Sequence, residues 1–167
     1  MTHLSSMQRT CIFTGHRDIP REKYMQIAAA TKETVINHIV SYGVRYFGVG
    51  GAIGFDTLAA EVLFDLRKRM FPEIRIILVY PFDGFNNRWS PQQKVKYNNC
   101  LTQFDKRVCV SSVPSKSAYL ARDRHLVDAA TYCIAYCTKD TGGTAYTMNY
   151  AKSKGLKITN IAELLPA

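Results

Sequence analysis

The sequence predicts a single α/β domain built in three layers, a mostly parallel sheet flanked by helices on both faces. Three observations predict it. Short apolar runs alternate with longer helical patterns along the whole chain. The runs, of which residues 74–80 are the clearest, lack the in–out alternation of a sheet with one wet face, as strands covered on both sides do. No linker, repeat or low-complexity stretch divides the 167 residues, and a 47% hydrophobic content is enough for one full core.

Residues 1–8 are polar and patternless and are expected to form a flexible tail, with the domain spanning residues 9–167. Residues 10–14 read as the first strand, ending at Gly15-His16-Arg17. A helical pattern follows, with Ile27, Val35, Ile36, Ile39 and Val40 on its apolar side and Gly43 as its stop. The second strand covers 46–49, and a helix runs from Gly54 to about Met70. After the third strand, 74–80, closed by Pro81, a loop holding Asn86, Asn87 and Trp89 leads into a helix from about 91 to 104. Strand four is placed at 108–110, a helix at 118–130 and strand five at 132–137. A last helix over 144–154 stops at Gly155, and 157–161 forms the final strand.

With 22 Lys and Arg against 13 Asp and Glu, the chain carries a net charge of +9, which favours anionic partners. The basic residues are scattered, so the charge is not a nucleic-acid tail. Five cysteines form no CxxC pair and sit mostly in apolar runs, which argues against disulfides and a zinc site. Neither a metal nor a resident cofactor is expected. The chain shows no leader and no membrane-length apolar segment, so a cytoplasmic protein without membrane contact is expected.

Two glycine loops stand between strand and helix: Gly50-Gly51-Ala52-Ile53-Gly54 and Thr141-Gly142-Gly143-Thr144. Glycine lets a ligand approach backbone amides, and the following helix N-terminus favours an anion. In parallel sheets ligands bind beyond the carboxyl ends of the strands. Both loops, Thr14-Gly15-His16-Arg17 and Pro81-Phe82 fall on that edge. Neither loop is a standard fingerprint: a GxGxxG frame from Gly48 meets Ile53, and there is no GxxxxGK[ST].

The first loop carries Asp56 in the opening turn of its helix. Either the carboxylate only serves the helix dipole, or it meets ribose hydroxyls or a base edge, since it repels phosphate. The second loop has free amides plus Thr144 and Thr147 and makes the better phosphate cradle. Arg17 can clamp a phosphate, and His16 either fills its loop or acts as a hydrogen-bonding or acid–base group. Arg122 and Arg124 flank Asp123 on one helix, as a solvated ion-pair face or with one arginine reaching the same edge. Trp89 is placed to stack on a base or to pack against the sheet edge.

Taken together, Thr14 to Arg17, Gly50 to Asp56 with Ala59, Ala60 and Glu61, Pro81-Phe82 with Trp89 and Tyr97, Ala121 to Asp128, and Gly142 to Thr147 resemble the YpsA-like branch of the SLOG superfamily. The resemblance runs in register from about residue 10 to 161. It implies a Rossmann-like fold that binds nucleotides or nucleotide-derived ligands. Relatives include DprA, which binds single-stranded DNA, and the LOG phosphoribohydrolases. The LOG pattern GGxGTxxE places Ala145, Tyr146 and Asn149 where those enzymes have glycine, threonine and the catalytic glutamate, and an amide is no base. The branch usually has asparagine where this chain has Asp123, which makes that corner less welcoming to phosphate. It also tends to have glutamine in the loop holding Asn86 and Asn87.

These readings lead to a domain that senses or sequesters a mononucleotide, ADP-ribose-like or cyclic molecule. The 141–144 loop and Arg17 would hold phosphate, Asp56 ribose, and Phe82 or Trp89 the base. One alternative is a nucleotide N-glycosidase or phosphohydrolase using His16, Asp56 or Glu61. Another is DprA-like binding of single-stranded nucleic acid. Assembly into dimers or larger homo-oligomers is compatible with the family.

Overall fold

A computed structural model describes residues 4–166. Its six-stranded sheet is entirely parallel, in the order β4-β3-β2-β1-β5-β6. The strands are β1 (Thr10–Gly15), β2 (Tyr46–Val49), β3 (Arg75–Tyr80), β4 (Lys106–Cys109), β5 (Tyr132–Tyr136) and β6 (Lys157–Asn160). The helices are α1 (Tyr24–Tyr42), α2 (Phe55–Arg69), α3 (Pro91–Leu101), α4 (Ser117–Asp128) and α5 (Gly143–Ser153).

The chain adds strands in one direction from β1 to β4, then crosses back and continues from β5 on the other side of β1. With right-handed crossovers, that reversal sends α1, α2 and α3 to one face and α4 and α5 to the other. Burial agrees. Phe13, Phe47, Ile76, Leu78 and Ile134 join Val35, Leu58, Leu63 and Cys100 in one apolar cluster. Their strand neighbours Ile12, Val79, Cys133 and Ala135 join Leu126, Val127 and Ala151 in a second. Both residues of each neighbouring pair are inside, which is why the strands read as continuous apolar runs.

Local differences from the sequence reading have local causes. The expected tail over residues 1–8 falls partly on 1–3, outside the described residues. From Ser5 on the chain is tied down: the Ser5 and Gln8 side chains each bond the other's amide, and Thr131 donates to the Met7 carbonyl at 2.9 Å. Helix α3 opens with a capping box, Ser90 and Gln93, and Pro91 in its first turn. It ends at Leu101 rather than near 104 because Phe104 turns onto Phe64 and Asp105 accepts from the Ile76 amide at 2.8 Å. Strand β4 starts two residues early, at Lys106, since pairing with β3 decides its bounds; as an edge strand it tolerates the polar Lys106-Arg107. Val40, expected on the apolar side of α1, is exposed.

Candidate functional site

Where the strand order reverses, the carboxyl ends of β1 and β5 part, and a cleft of about 570 Å³ opens between them. Its walls come from Thr14 to Asp18 at the end of β1, Gly50, Ala52 and Asp56 after β2, Thr138, Lys139 and Thr141 to Thr144 after β5, and Tyr119, Arg122 and Asp123 of α4.

The first glycine loop is closed against its own protein. The His16 carbonyl accepts from the Phe55 amide at 3.0 Å, and the Asp56 carboxylate accepts from the Ala52 amide at 3.1 Å. Gly54 makes this possible, with φ of 85° and the Arg17 backbone where a Cβ would stand, 2.3 Å away. The second loop is open. Nothing lies within 4 Å of a Cβ built on Gly142 or Gly143, no side chain caps α5, and its first turn holds no acid. The two loops therefore present different chemistry to one cleft: a buried carboxylate on one side and free amides on the other.

Asp56 is 7% exposed, and its Oδ1 has no hydrogen-bond partner. Burial pushes its pKa up to about 6, against the pull of the Arg122 guanidinium. Arg122 is itself only 6% exposed. It donates from Nη1 to the Gly50 carbonyl and from Nε to Asp123 Oδ1 at 2.6 Å. A Cβ on Gly50 would meet both Arg122 Nη1 and Asp56 Oδ2 within 3 Å, so glycine is what lets the two charges close around the strand end. The Thr147 hydroxyl lies 3.1 Å from Asp123 Oδ2 and 2.9 Å from the Gly143 carbonyl. Arg122 thus ties the end of β2 to the start of α5, and Asp123 is matched by a cation rather than left facing the cleft alone.

His16 stands on edge to Tyr136 and accepts at Nε2 from the Thr138 amide, 2.8 Å away. That bond needs an unprotonated Nε2, and burial, reinforced by Lys139, lowers the His16 pKa from 6.5. With the folded pKa depressed, the contact is fully present above pH 6.5 and is lost as pH falls through the lower folded value. An NMR titration should show the His16 ring and the Thr138 amide moving together with a midpoint below 6.5. A Thr138 amide indifferent to the His16 titration would remove the contact from the account.

The cleft does not collect every residue singled out in the sequence. Thr14, Gly15, His16, Arg17, Gly50, Ala52, Asp56, Arg122, Thr141, Gly142, Gly143 and Thr144 line it. Gly51 faces the Leu78 side chain, and Gly54 and Thr147 support the walls from behind. Arg124 reaches Tyr146 at 3.2 Å, outside the cleft. Trp89 does not line the cleft: its ring packs against Phe85 and Tyr97 at 5.4 and 5.6 Å. Pro81 is buried at the end of β3, and Phe82 meets the edge of Tyr119 at 5.6 Å, so it braces a cleft residue without lining the cleft. Glu61, on the far side of α2, pairs with Lys96 at 3.3 Å. Tyr119, Tyr136 and Lys139 were missed. For Tyr119 a signal existed, since it stands three residues before Arg122 on the same helix face; the Arg17 guanidinium lies over its ring at 5.8 Å.

The family model described as the YspA SLOG family matches residues 11–163. A UPF0398 protein of Staphylococcus epidermidis is 27% identical over 139 residues, 77% of this chain and 72% of that protein. A UPF0398 protein of Bacillus velezensis is 23% identical over 125 residues, 73% of this chain and 68% of that protein. Among solved structures, the DNA processing protein A (DprA) of Streptococcus pneumoniae superposes with a TM-score of 0.57 at 15% identity, over 89% of this chain and 48% of that one. The Helicobacter pylori protein of the same name, described for its single-stranded DNA binding mode, gives 0.61 at 15% identity, over 91% and 64%. The chain therefore spans about half to two thirds of these DprA chains, and the likeness is one of fold. Among the described residues, no helix is long and apolar enough to cross a membrane.

Proposed function

We propose, from the premise that the chain belongs to the YspA SLOG family, that the cleft binds a nucleotide or nucleotide-derived small molecule and holds it intact. One observation carries the reading: free helix amides and a buried carboxylate with one unpartnered oxygen line the same cleft. The amides of residues 143 and 144 suit a phosphate, aided by the exposed Arg17 and Lys139 at the mouth. The Asp56 Oδ1 needs a donor, which a ribose hydroxyl or a base amine supplies and a phosphate does not. Tyr119, braced by Phe82, offers a flat aromatic face to a base.

Three carboxyl positions support holding over hydrolysing, with Asp56 left as an acid–base candidate in the cleft. Asn149 is exposed where the LOG enzymes have their glutamate, Glu61 is paired elsewhere, and Asp123 is engaged by Arg122. The test is a thermal-shift panel of mononucleotides, ADP-ribose and its cyclic forms, cyclic dinucleotides and a short single-stranded DNA, each hit then recovered by chromatography. A ligand at ~100 times its Kd stabilises by about 2.7 kcal/mol, roughly 5–10 °C here. A hit recovered unchanged supports the reading; a hit recovered as base and ribose phosphate replaces it with an N-glycosidase.

A second reading, single-stranded nucleic-acid binding, draws on the fold shared with DprA and the +9 charge. It predicts an affinity that falls steeply with salt, with a log–log slope growing by about 0.7 per phosphate contacted. A small ligand held by two or three such contacts gives a shallow slope, and the buried Asp56 carboxylate in the cleft lining, which repels a phosphate backbone, favours it.

A further inference from the structure

The two helical layers are unequal. Three helices cover one face of the sheet and two the other, where α5 lies over β1, β5 and β6 and α4 over β1 and β3. What remains is a groove of about 540 Å³ over β2, β3 and β4, walled by the C-terminal end of α4 at Leu126 and Ala129. Its floor is aliphatic, formed by Ile12, Ile77, Val79 and Val108; Ile12 and Val79 are buried, and Ile77 and Val108 stay partly exposed. Strand β3 is written in the sequence as a strand apolar on both sides, yet α4 covers this side only in part: Val79 joins Leu126 and Val127 in the buried cluster, while Ile77 stays partly exposed. Two inter-strand spacings make the strip about 10 Å wide, the diameter of one helix.

We infer that this groove is a docking surface for an amphipathic helix of a partner protein, with an aliphatic stripe flanked by Asp and Glu. Charge selects the partner. Arg75 and Lys106 stand exposed on the rim, and neither has an acidic partner among the described residues. Arg75 is steadied by the Ile74 carbonyl at 3.1 Å. The one rim acid, Asp105, is already committed to Arg67 at 2.7 Å and to the Ile76 amide. A second copy of this chain is a poor occupant, because it would bring another +9 molecule against that rim. A nucleic acid fits the groove poorly, since the rings in its lining, Tyr46 and His125, are outnumbered by aliphatic groups that offer no stacking platform.

The test uses a stapled helical peptide with leucines at i, i+3, i+4 and i+7 flanked by glutamates, and the same peptide with lysines in place of the glutamates. The inference expects saturable binding of the acidic peptide with methyl NMR shifts at Ile77, Val79 and Val108. It further expects at least tenfold weaker binding to the R75E/K106E double variant, whose substitutions are exposed and should leave the melting temperature unchanged. Absence of saturable binding, or equal binding of the lysine peptide, overturns it. So does a concentration-dependent dimer of the free protein that shifts the same methyls, or a single-stranded DNA that does so.

Discussion

Asp56→Asn is expected to raise the melting temperature at pH 7.5 by about 5 °C while weakening binding of the ligand about 100-fold. The stability half follows from linkage. A carboxyl whose pKa rises from 3.8 to about 6 on folding favours the native state only when protonated. Its stabilising contribution is full below pH 3.8 and is lost as pH rises through 6. The shift corresponds to about 3 kcal/mol at neutral pH. Asparagine keeps an acceptor for the Ala52 amide and leaves Arg122 and Asp123 as a neutral pair, where the wild type buries a triad of net charge −1. Allowing for the lost attraction to Arg122, about 1–3 kcal/mol remains, or roughly 2–4 °C for each kcal/mol in a chain of this size.

The binding half follows from the unpartnered Oδ1. A hydrogen bond to a charged acceptor contributes about 1.5–3 kcal/mol, a factor of ten to a hundred or more in affinity. Wild-type affinity should also fall as pH drops through 6, where Asp56 protonates, and the melting-temperature gap between wild type and variant should close over the same interval. The measurement is a pair of melting curves across pH, with and without the stabilising nucleotide. A variant less stable than wild type at pH 7.5 would mean that Asp56 serves the fold. A variant that binds as well as wild type would remove it from the site.

The parts of this architecture that were legible in the sequence are those decided by short-range pattern. The strands and helices, the two glycine loops and the edge on which they converge follow from periodicity and from the rule for parallel sheets. The strand order does not, because periodicity cannot tell on which side of β1 the chain resumes. Yet that reversal decides that Thr14–Arg17 and residues 138–144 share a cleft. Arg122 read equally well as solvated or inward-reaching, although Ala118 and Leu126, four residues to either side, are both buried and put it on the inner face. Trp89 stayed between two readings for the opposite reason: the position of a loop aromatic depends on distant partners, here Phe85 and Tyr97, that no local pattern reveals. The groove over β3 and β4 was equally hidden, since an apolar strand reads the same whether a helix covers all of it or only part.

Gly143→Leu is expected to abolish nucleotide binding, at least 100-fold, and to move the melting temperature by less than about 2 °C. The backbone of Gly143 is not left-handed, and a Cβ there meets nothing within 4 Å, so the fold accepts a side chain. At the first position of α5, leucine in place of glycine also gains helix propensity, by up to about 1 kcal/mol. Whatever is lost is therefore lost from the cleft. Gly143→Asp separates bulk from charge: a carboxylate at a helix N-terminus stabilises the helix by about 0.3–1 kcal/mol and repels a phosphate from the same amides. Gly143→Asn has nearly the same volume and no charge. If phosphate sits on these amides, aspartate binds much more weakly than asparagine, and the difference shrinks as salt screens it. Equal affinities for the two would place an uncharged part of the ligand at α5. Full affinity in the leucine variant would take the second loop out of the site altogether, leaving Asp56 and Arg17 to define a different and smaller pocket.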